Sequence, residues 1–243
     1  MNTQKKAIIV GASSGIGREV ARLLIAKGWT VGIAARRQEK LLELQNEHPQ
    51  QVKVKTIDIT QEDAPQLLQQ LITELGGMDL YFHASGIGKQ NRQLEPEIET
   101  NTVSTNAMGF TRMVDTAFNH FAQNGGGHIA AITSIAGTKG LGPAPSYSAT
   151  KAFQNTYLQS LEQLANARRL NIRFTDLRPG FVDTDLLNDN FHYPLMLRPE
   201  RVAREMVSSI EKRRHTRVID WRWRIITAFW RRIPRCLWRH FKL

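Results

Sequence analysis

Short apolar runs alternate with amphipathic stretches along most of the chain. Lys5 to Val10 is an apolar run that stops at Gly11, the pattern of a parallel strand buried on both faces. A helical pattern follows with Val20, Leu23 and Leu24 and closes at Ala26-Lys27-Gly28. The same reading predicts strands over residues 30–34, 52–57, 78–83, 127–133 and 171–177. Helices are predicted over residues 38–47, 61–75, 95–122 and 146–169. Strands alternating with helices of this length imply an α/β fold with a doubly wound parallel sheet, whose ligands sit at the carboxyl ends of the strands.

The candidate chemistry falls at those ends. Gly11-Ala12-Ser13-Ser14-Gly15-Ile16-Gly17 joins the first strand to the first helix. Strand, glycine-rich turn and helix together bring backbone N–H groups and a helix N-terminus against a pyrophosphate. Gly11 suits the tight turn, Gly15 a close approach of the diphosphate, and Gly17 close packing of helix on strand. The second strand ends at Ala35-Arg36-Arg37, and the first acid beyond it is Glu39. A carboxylate here would meet a ribose 2′-hydroxyl, whereas arginine suits a 2′-phosphate, so Ser13, Ser14 and Arg36 point to NADP(H). Tyr147 and Lys151 stand four residues apart in a helical segment, so phenol and ammonium share a face. A cation beside a phenol favours the phenolate, and Tyr147 is expected to be tuned downward for proton transfer.

The net charge is +11, but residues 212–243 hold eleven Lys or Arg against the single acid Asp220, leaving the other 211 residues at +1. The body is therefore electrostatically ordinary, and nucleic-acid binding is an unlikely role for it. One cysteine, Cys236, excludes an intrachain disulfide and fits a reducing compartment. No apolar run has the length of a signal-peptide core or a membrane span, which leads to a cytoplasmic expectation.

With the glycine turn, Asp58, Asn106, Ser134, Tyr147-x-x-x-Lys151 and the Arg178-Pro179-Gly180-Phe181-Val182-Asp183-Thr184 stretch in order, the chain resembles the short-chain dehydrogenase/reductase family from residue 5 to about 220. The resemblance implies a catalytic set of Asn106, Ser134, Tyr147 and Lys151, in which Tyr147 exchanges the proton. Lys151 would depress its pKa and hold the nicotinamide ribose. Ser134 would bind the substrate oxygen, and Asn106 would complete a relay through water and helix backbone. Cofactor contacts would come from Gly11, Ser13, Ser14, Gly15, Ile16, Gly17, Arg36, Asp58 at the adenine, Ala84, Gly86, Tyr147 and Lys151. Pro179, Gly180, Val182 and Thr184 would flank the carboxamide. No metal enters this expectation. Where the family carries Asn-Asn-Ala-Gly, this chain has His83-Ala84-Ser85-Gly86. His83 reads as a hydrogen-bonded strand-end residue in preference to a catalytic base.

Residues 181–198 read as a short lid with Leu186, Leu187, Phe191, Tyr193, Leu195, Met196 and Leu197. Such a lid suits a hydrophobic or lipid-linked carbonyl or alcohol, or else packs on the body. Residues 221–243 hold four of the five tryptophans among many arginines, with Pro234 expected to break their helix. That segment suits an anionic membrane interface, a packed or oligomer-forming arm, or, least, nucleic acid. The expectation is a single Rossmann-type domain with a seven-stranded parallel sheet over residues 1–220 and a basic amphipathic extension over 221–243. It would be an NADP(H)-dependent oxidoreductase, with a homodimer or homotetramer built on helices near residues 108–121 and 153–164. It would be cytoplasmic, with peripheral attachment to the inner face of the membrane as the further expectation from its tail. The alternative is a non-catalytic dinucleotide-binding sensor or scaffold docked through its tail.

Overall fold

A computed structural model describes residues 4–187, 191 and 193–241. Residues 188–190 and 192 of the predicted lid, and 242–243 of the tail, lie outside the described residues. Seven strands form one sheet: β1 Lys6–Val10, β2 Thr30–Ala35, β3 Val52–Thr56, β4 Leu80–His83, β5 Gly127–Ile132, β6 Ile172–Pro179 and β7 Thr216–Ile219. Their order is β3-β2-β1-β4-β5-β6-β7, and every pairing is parallel. The order reverses between β1 and β4, which opens a crevice at their carboxyl ends. Nearly every residue of β1 and β4 is buried, because helices cover both faces. The helices are α1 Gly15–Ala26, α2 Gln38–Glu47, α3 Ala64–Leu75, α4 Pro96–Val103, α5 Phe110–Gln123, α6 Pro145–Ala167, α7 Pro199–Glu211, α8 Trp221–Arg232 and α9 Arg235–Trp238.

Two apolar layers sandwich the sheet. One gathers Val20, Leu24, Val202, Met206 and Trp223 under α1, α7 and α8. The other gathers Leu68, Leu71, Phe110, Val114 and Leu158 under α3, α5 and α6. The predicted long helix over residues 95–122 is present as α4 and α5, but a π-helical segment, Ser104–Gly109, joins them and places Asn106 within it. A π segment widens the helix by one residue per turn and re-aims what it carries, a placement that apolar periodicity does not reveal.

The basic segment is not a free tail. α8 follows β7 after Asp220, whose buried carboxylate caps the helix by accepting from Arg222 N–H and is gripped by the Arg222 guanidinium at 2.9–3.2 Å. Trp223 is buried against Gly180, where a Cβ would lie 2.1 Å from the indole nitrogen. Rings then follow one another from Phe181 to Trp223, Trp230, Trp238 and Phe241. The helix ends before Pro234, as the sequence predicts. Lys139 donates to the Ile233 carbonyl at 2.6 Å, and the Trp238 indole donates to the Gly140 carbonyl at 2.8 Å. The segment thereby clamps the loop that runs between Ser134 and Tyr147.

At the end of β4, His83 is fully buried, bonded through Nδ1 to the Tyr81 hydroxyl at 2.8 Å and set edge-on to Phe110. Burial, then the nearby Lys151 charge, pull its pKa down to about 3, against a smaller opposing contribution from the Ser85 backbone. His128 is likewise depressed, to about 4, by burial and then by Arg213 and Arg173. A neutral histidine in the fold that protonates once unfolded gives stability in full above its ordinary value of 6.5, lost as pH falls toward about 3. Each such group contributes a slope of about 1.4 kcal/mol per pH unit inside that window. Urea unfolding at pH 7 and pH 5 therefore shows a smaller acid loss in His83→Gln than in the wild type. An equal loss in both would mean that His83 is not the buried neutral group described.

Candidate functional site

The chain leaves β1 at Gly11 with φ +95°, and a Cβ there would lie 2.5 Å from the Ser85 backbone nitrogen. At Gly17 a Cβ would lie 2.2 Å from the Gly11 carbonyl oxygen. The two glycines let α1 start hard against the ends of β1 and β4. Ser14 stands at the helix N-cap with no side-chain capping bond, and the first turn holds no acid, so no side chain of that turn satisfies the helix start. The Thr184 methyl lies 3.2 Å from where a Gly15 Cβ would be, so the segment after Gly180 overhangs the same turn. Ile16 packs on the core behind it, and Val182 is buried and bridged to Leu197.

Beside this cradle the guanidinium of Arg37 donates to Ser14 Oγ at 2.6 Å and to Ser13 Oγ at 3.0 Å, with Asp185 3.7 Å away. The sequence singles out Arg36. Arg36 is exposed and makes no hydrogen bond or ion pair among the described residues, and its neighbour reaches the serines instead. Arg37 stands at the α2 N-cap, where the backbone turns back toward α1. Adjacent arginines offer no sequence signal for which of the two will face inward. Asp58, at the end of β3, uses Oδ1 to accept from Thr60 N–H and Oγ1.

Across the crevice, β5 ends at Ile132, and Ser134 caps a 3-10 turn, Ile135–Thr138, its Oγ accepting from Ala136 N–H at 3.1 Å. α6 starts with Pro145 in its first turn and presents Tyr147 and Lys151 on one face. The Lys151 Nζ stands 5.7 Å from the centre of the Tyr147 ring. Lys151 is 4% exposed and donates to the Ile132 carbonyl at 3.2 Å and to Gln154 Oε1 at 3.0 Å. Burial draws its pKa down to about 8, with Asp176 opposing. Asn106 uses its side-chain amide to clamp Ile87, accepting from Ile87 N–H at 2.9 Å and donating to the Ile87 carbonyl at 2.7 Å. A Cβ on Gly86 would lie 3.3 Å from Asn106 Oδ1 and 3.6 Å from Lys151 Nζ, so Gly86 borders both. The Ala84 methyl abuts Gly17, tying this strand end to the glycine turn.

One expectation changes here. Tyr147 is not tuned downward: burial raises the phenol above its ordinary value, and the Ser134 hydrogen bond only partly offsets this. The ammonium, 5.7 Å from the ring centre, spends its hydrogen bonds on the Ile132 carbonyl and Gln154. The Asn106 backbone carbonyl accepts from Gln154 Nε2 at 2.8 Å.

Four neighbours escape sequence reasoning. Gly88 lies flat on Tyr147, where a Cβ would come within 2.6 Å of two ring carbons. Asp176 is a buried carboxylate behind Lys151, held by Thr133 and Arg178. Gln154 and Arg37 complete the list. Gln154, three residues past Lys151, was open to detection as a polar residue where α6 should be apolar. Asp176 was equally visible as an acid inside a predicted buried strand. In the segment after Gly180, Phe181 packs on Tyr193, and Gln90 donates to the Tyr193 hydroxyl at 3.4 Å. Leu186, Phe191, Leu195 and Met196 remain exposed around it.

Residues 5–193 match the family model described as short chain dehydrogenase. An uncharacterized oxidoreductase of Mycobacterium tuberculosis is 31% identical over 228 residues, covering 90% of this chain and 89% of that protein. One from Myxococcus xanthus is 32% identical over 200 residues, covering 79% of this chain and 78% of its own length. Among solved structures, a short-chain dehydrogenase from Streptomyces avermitilis superposes with a TM-score of 0.81 at 19% identity, covering 93% of this chain and 92% of that one. A closed-form serine dehydrogenase complexed with NADP+ superposes with a TM-score of 0.78 at 24% identity, covering 88% of this chain and 94% of that one. With the glycine turn, the Tyr147–Lys151 pair and a family match across most of its length, the chain belongs to the short-chain dehydrogenases.

Proposed function

We propose that this oxidoreductase is NADP(H)-dependent, interconverts a carbonyl and an alcohol, and works chiefly as a reductase on a hydrophobic or lipid-linked substrate. The observation that carries the reading is the convergence of Ser134, Tyr147 and Lys151 on the crevice that the Gly11–Gly17 turn also borders. When bound, the nicotinamide cofactor supplies the hydride. The chain's own residues do the rest. Tyr147, protonated at neutral pH, donates its phenolic proton to the substrate oxygen as charge develops there. Ser134, its oxygen already anchored by Ala136 N–H, keeps its own proton for that same oxygen. Lys151 holds a positive charge near Gly86 and toward the ribose. Asn106 fixes the 86–88 segment, and through Gly88 the face of the Tyr147 ring. Asp58 serves the adenine, and Pro179, Gly180, Val182 and Thr184 the carboxamide end.

The cradle suits a 2′-phosphate. Arg37 with Ser13 and Ser14 forms a cationic, donor-rich rim beside an uncapped helix start, and Arg36 adds an unpartnered guanidinium next to it. Titration followed by nicotinamide fluorescence is expected to give NADPH binding at least about tenfold tighter than NADH. Arg37→Leu is expected to weaken NADPH by about tenfold and to leave NADH nearly unchanged. Equal or tighter NADH binding by the wild type would remove the phosphate assignment.

We also assign the outer face of α8 to a peripheral contact with anionic membrane. Trp223, Thr227 and Trp230 face the body, while Trp221, Ile225 and Phe229, at four-residue spacing, are 58%, 48% and 68% exposed. Arg224, Arg231, Arg232, Arg235 and Arg239 are exposed around them. Among the described residues no helix is long and apolar enough to cross a membrane. The face therefore has the form of an interfacial anchor. The full chain should co-sediment with phosphatidylglycerol vesicles, and a Trp221→Ser, Ile225→Ser, Phe229→Ser variant should not. Undiminished binding by that variant, or equal binding to phosphatidylcholine alone, would sink the assignment.

A further inference from the structure

Gln154 is fully buried on α6, one turn beyond Lys151, and its two amide atoms face opposite demands. On one side stands the Lys151 ammonium, which can only donate; on the other stands the Asn106 backbone carbonyl, which can only accept. Only one orientation of the amide satisfies both, with Oε1 toward Nζ at 3.0 Å and Nε2 toward the carbonyl at 2.8 Å. Leucine satisfies neither end, and glutamate keeps the acceptor but loses the donor. Asn106 itself sits in the π-helical segment, so the bridge ties α6 to the one irregular turn of the α4–α5 helix.

We propose that Gln154 is a positioning residue, one whose amide bridges the Asn106 carbonyl and the Lys151 ammonium and holds that ammonium charged and in register with Tyr147. The inference rests on the reading that Lys151 serves the site. The other groups facing Lys151 are Tyr147 from its own helix, His83 from β4 and Asp176 from β6. His83 is neutral at working pH. Asp176 is shared with Arg178 and Thr133. The nearest fixed acceptors are thus the Ile132 carbonyl and Gln154, and removing one exposes the ammonium to the full effect of burial.

The test is a direct titration of Lys151 in the full-length protein labelled with [ε-13C]lysine, its resonance assigned by its loss in Lys151→Arg. The wild-type midpoint is expected at about 8. Gln154→Met, close in volume and without hydrogen-bonding groups, should lower it by about one unit, and Gln154→Glu should raise it by about one unit. A midpoint unmoved in both variants would overturn the proposal, because a packing role alone leaves it unchanged. If Gln154→Met fails to fold, Gln154→Glu alone decides, an unmoved midpoint again being the contrary result. The titration needs no cofactor. Failure of NADPH to bind the wild type, with both shifts present, would fell the cofactor reading and leave the role of Gln154 standing.

Discussion

A buried ammonium is the constraint around which this molecule is arranged. Lys151 has almost no contact with solvent, and a charge in such a place survives only where fixed acceptors and a compensating field replace water. The end of β5 offers a carbonyl, α6 offers Gln154 one turn on, and β6 sets Asp176 behind. Each of these binds something further. Gln154 secures the π segment at Asn106, Asn106 secures Ile87, and the backbone at Gly88 then lies against the Tyr147 ring. The end of β5, β6 and the π segment are thus tied to one side chain, the last of them through Gln154. The same charge helps keep His83 neutral at the end of β4.

Much of this was legible in the sequence, and what was legible has a common physical cause. The Gly11–Gly17 turn and the strand ends announce themselves because the backbone there must come close to something, and only glycine permits it. Tyr147 and Lys151 announce themselves through helical spacing. The sheet follows from apolar runs separated by amphipathic ones, although β7, four residues long in a basic context, was not delimited. What escaped depends on direction, not on residue type. Arg36 and Arg37 differ only in which way they face. Gly88 matters only because a ring lies on it. Gln154 and Asp176 are polar residues whose partners come from distant strands and helices. The altered tuning of Tyr147 escaped because spacing gives proximity to Lys151 but not the burial that raises the phenol.

The packing of the basic C-terminal segment on the body and the membrane contact proposed for it are compatible. Its inner aromatic face is part of the core and grips Lys139 and Gly140, between Ser134 and Tyr147 in the chain. Its outer face keeps apolar and cationic side chains in solvent. Whatever that outer face meets is therefore one helix thickness from the loop that carries the candidate chemistry.

The central claim is that Tyr147 delivers the proton in an NADPH-dependent carbonyl reduction, and the most direct measurement compares wild type with Tyr147→Phe. Both would be followed by NADPH oxidation across a panel of hydrophobic ketones, with NADPH binding checked separately. The account predicts unchanged binding and a turnover lower by at least about a hundredfold in the variant. Turnover retained by Tyr147→Phe would contradict it. A wild type that binds NADPH yet reduces none of the panel would instead favour a dinucleotide-binding scaffold.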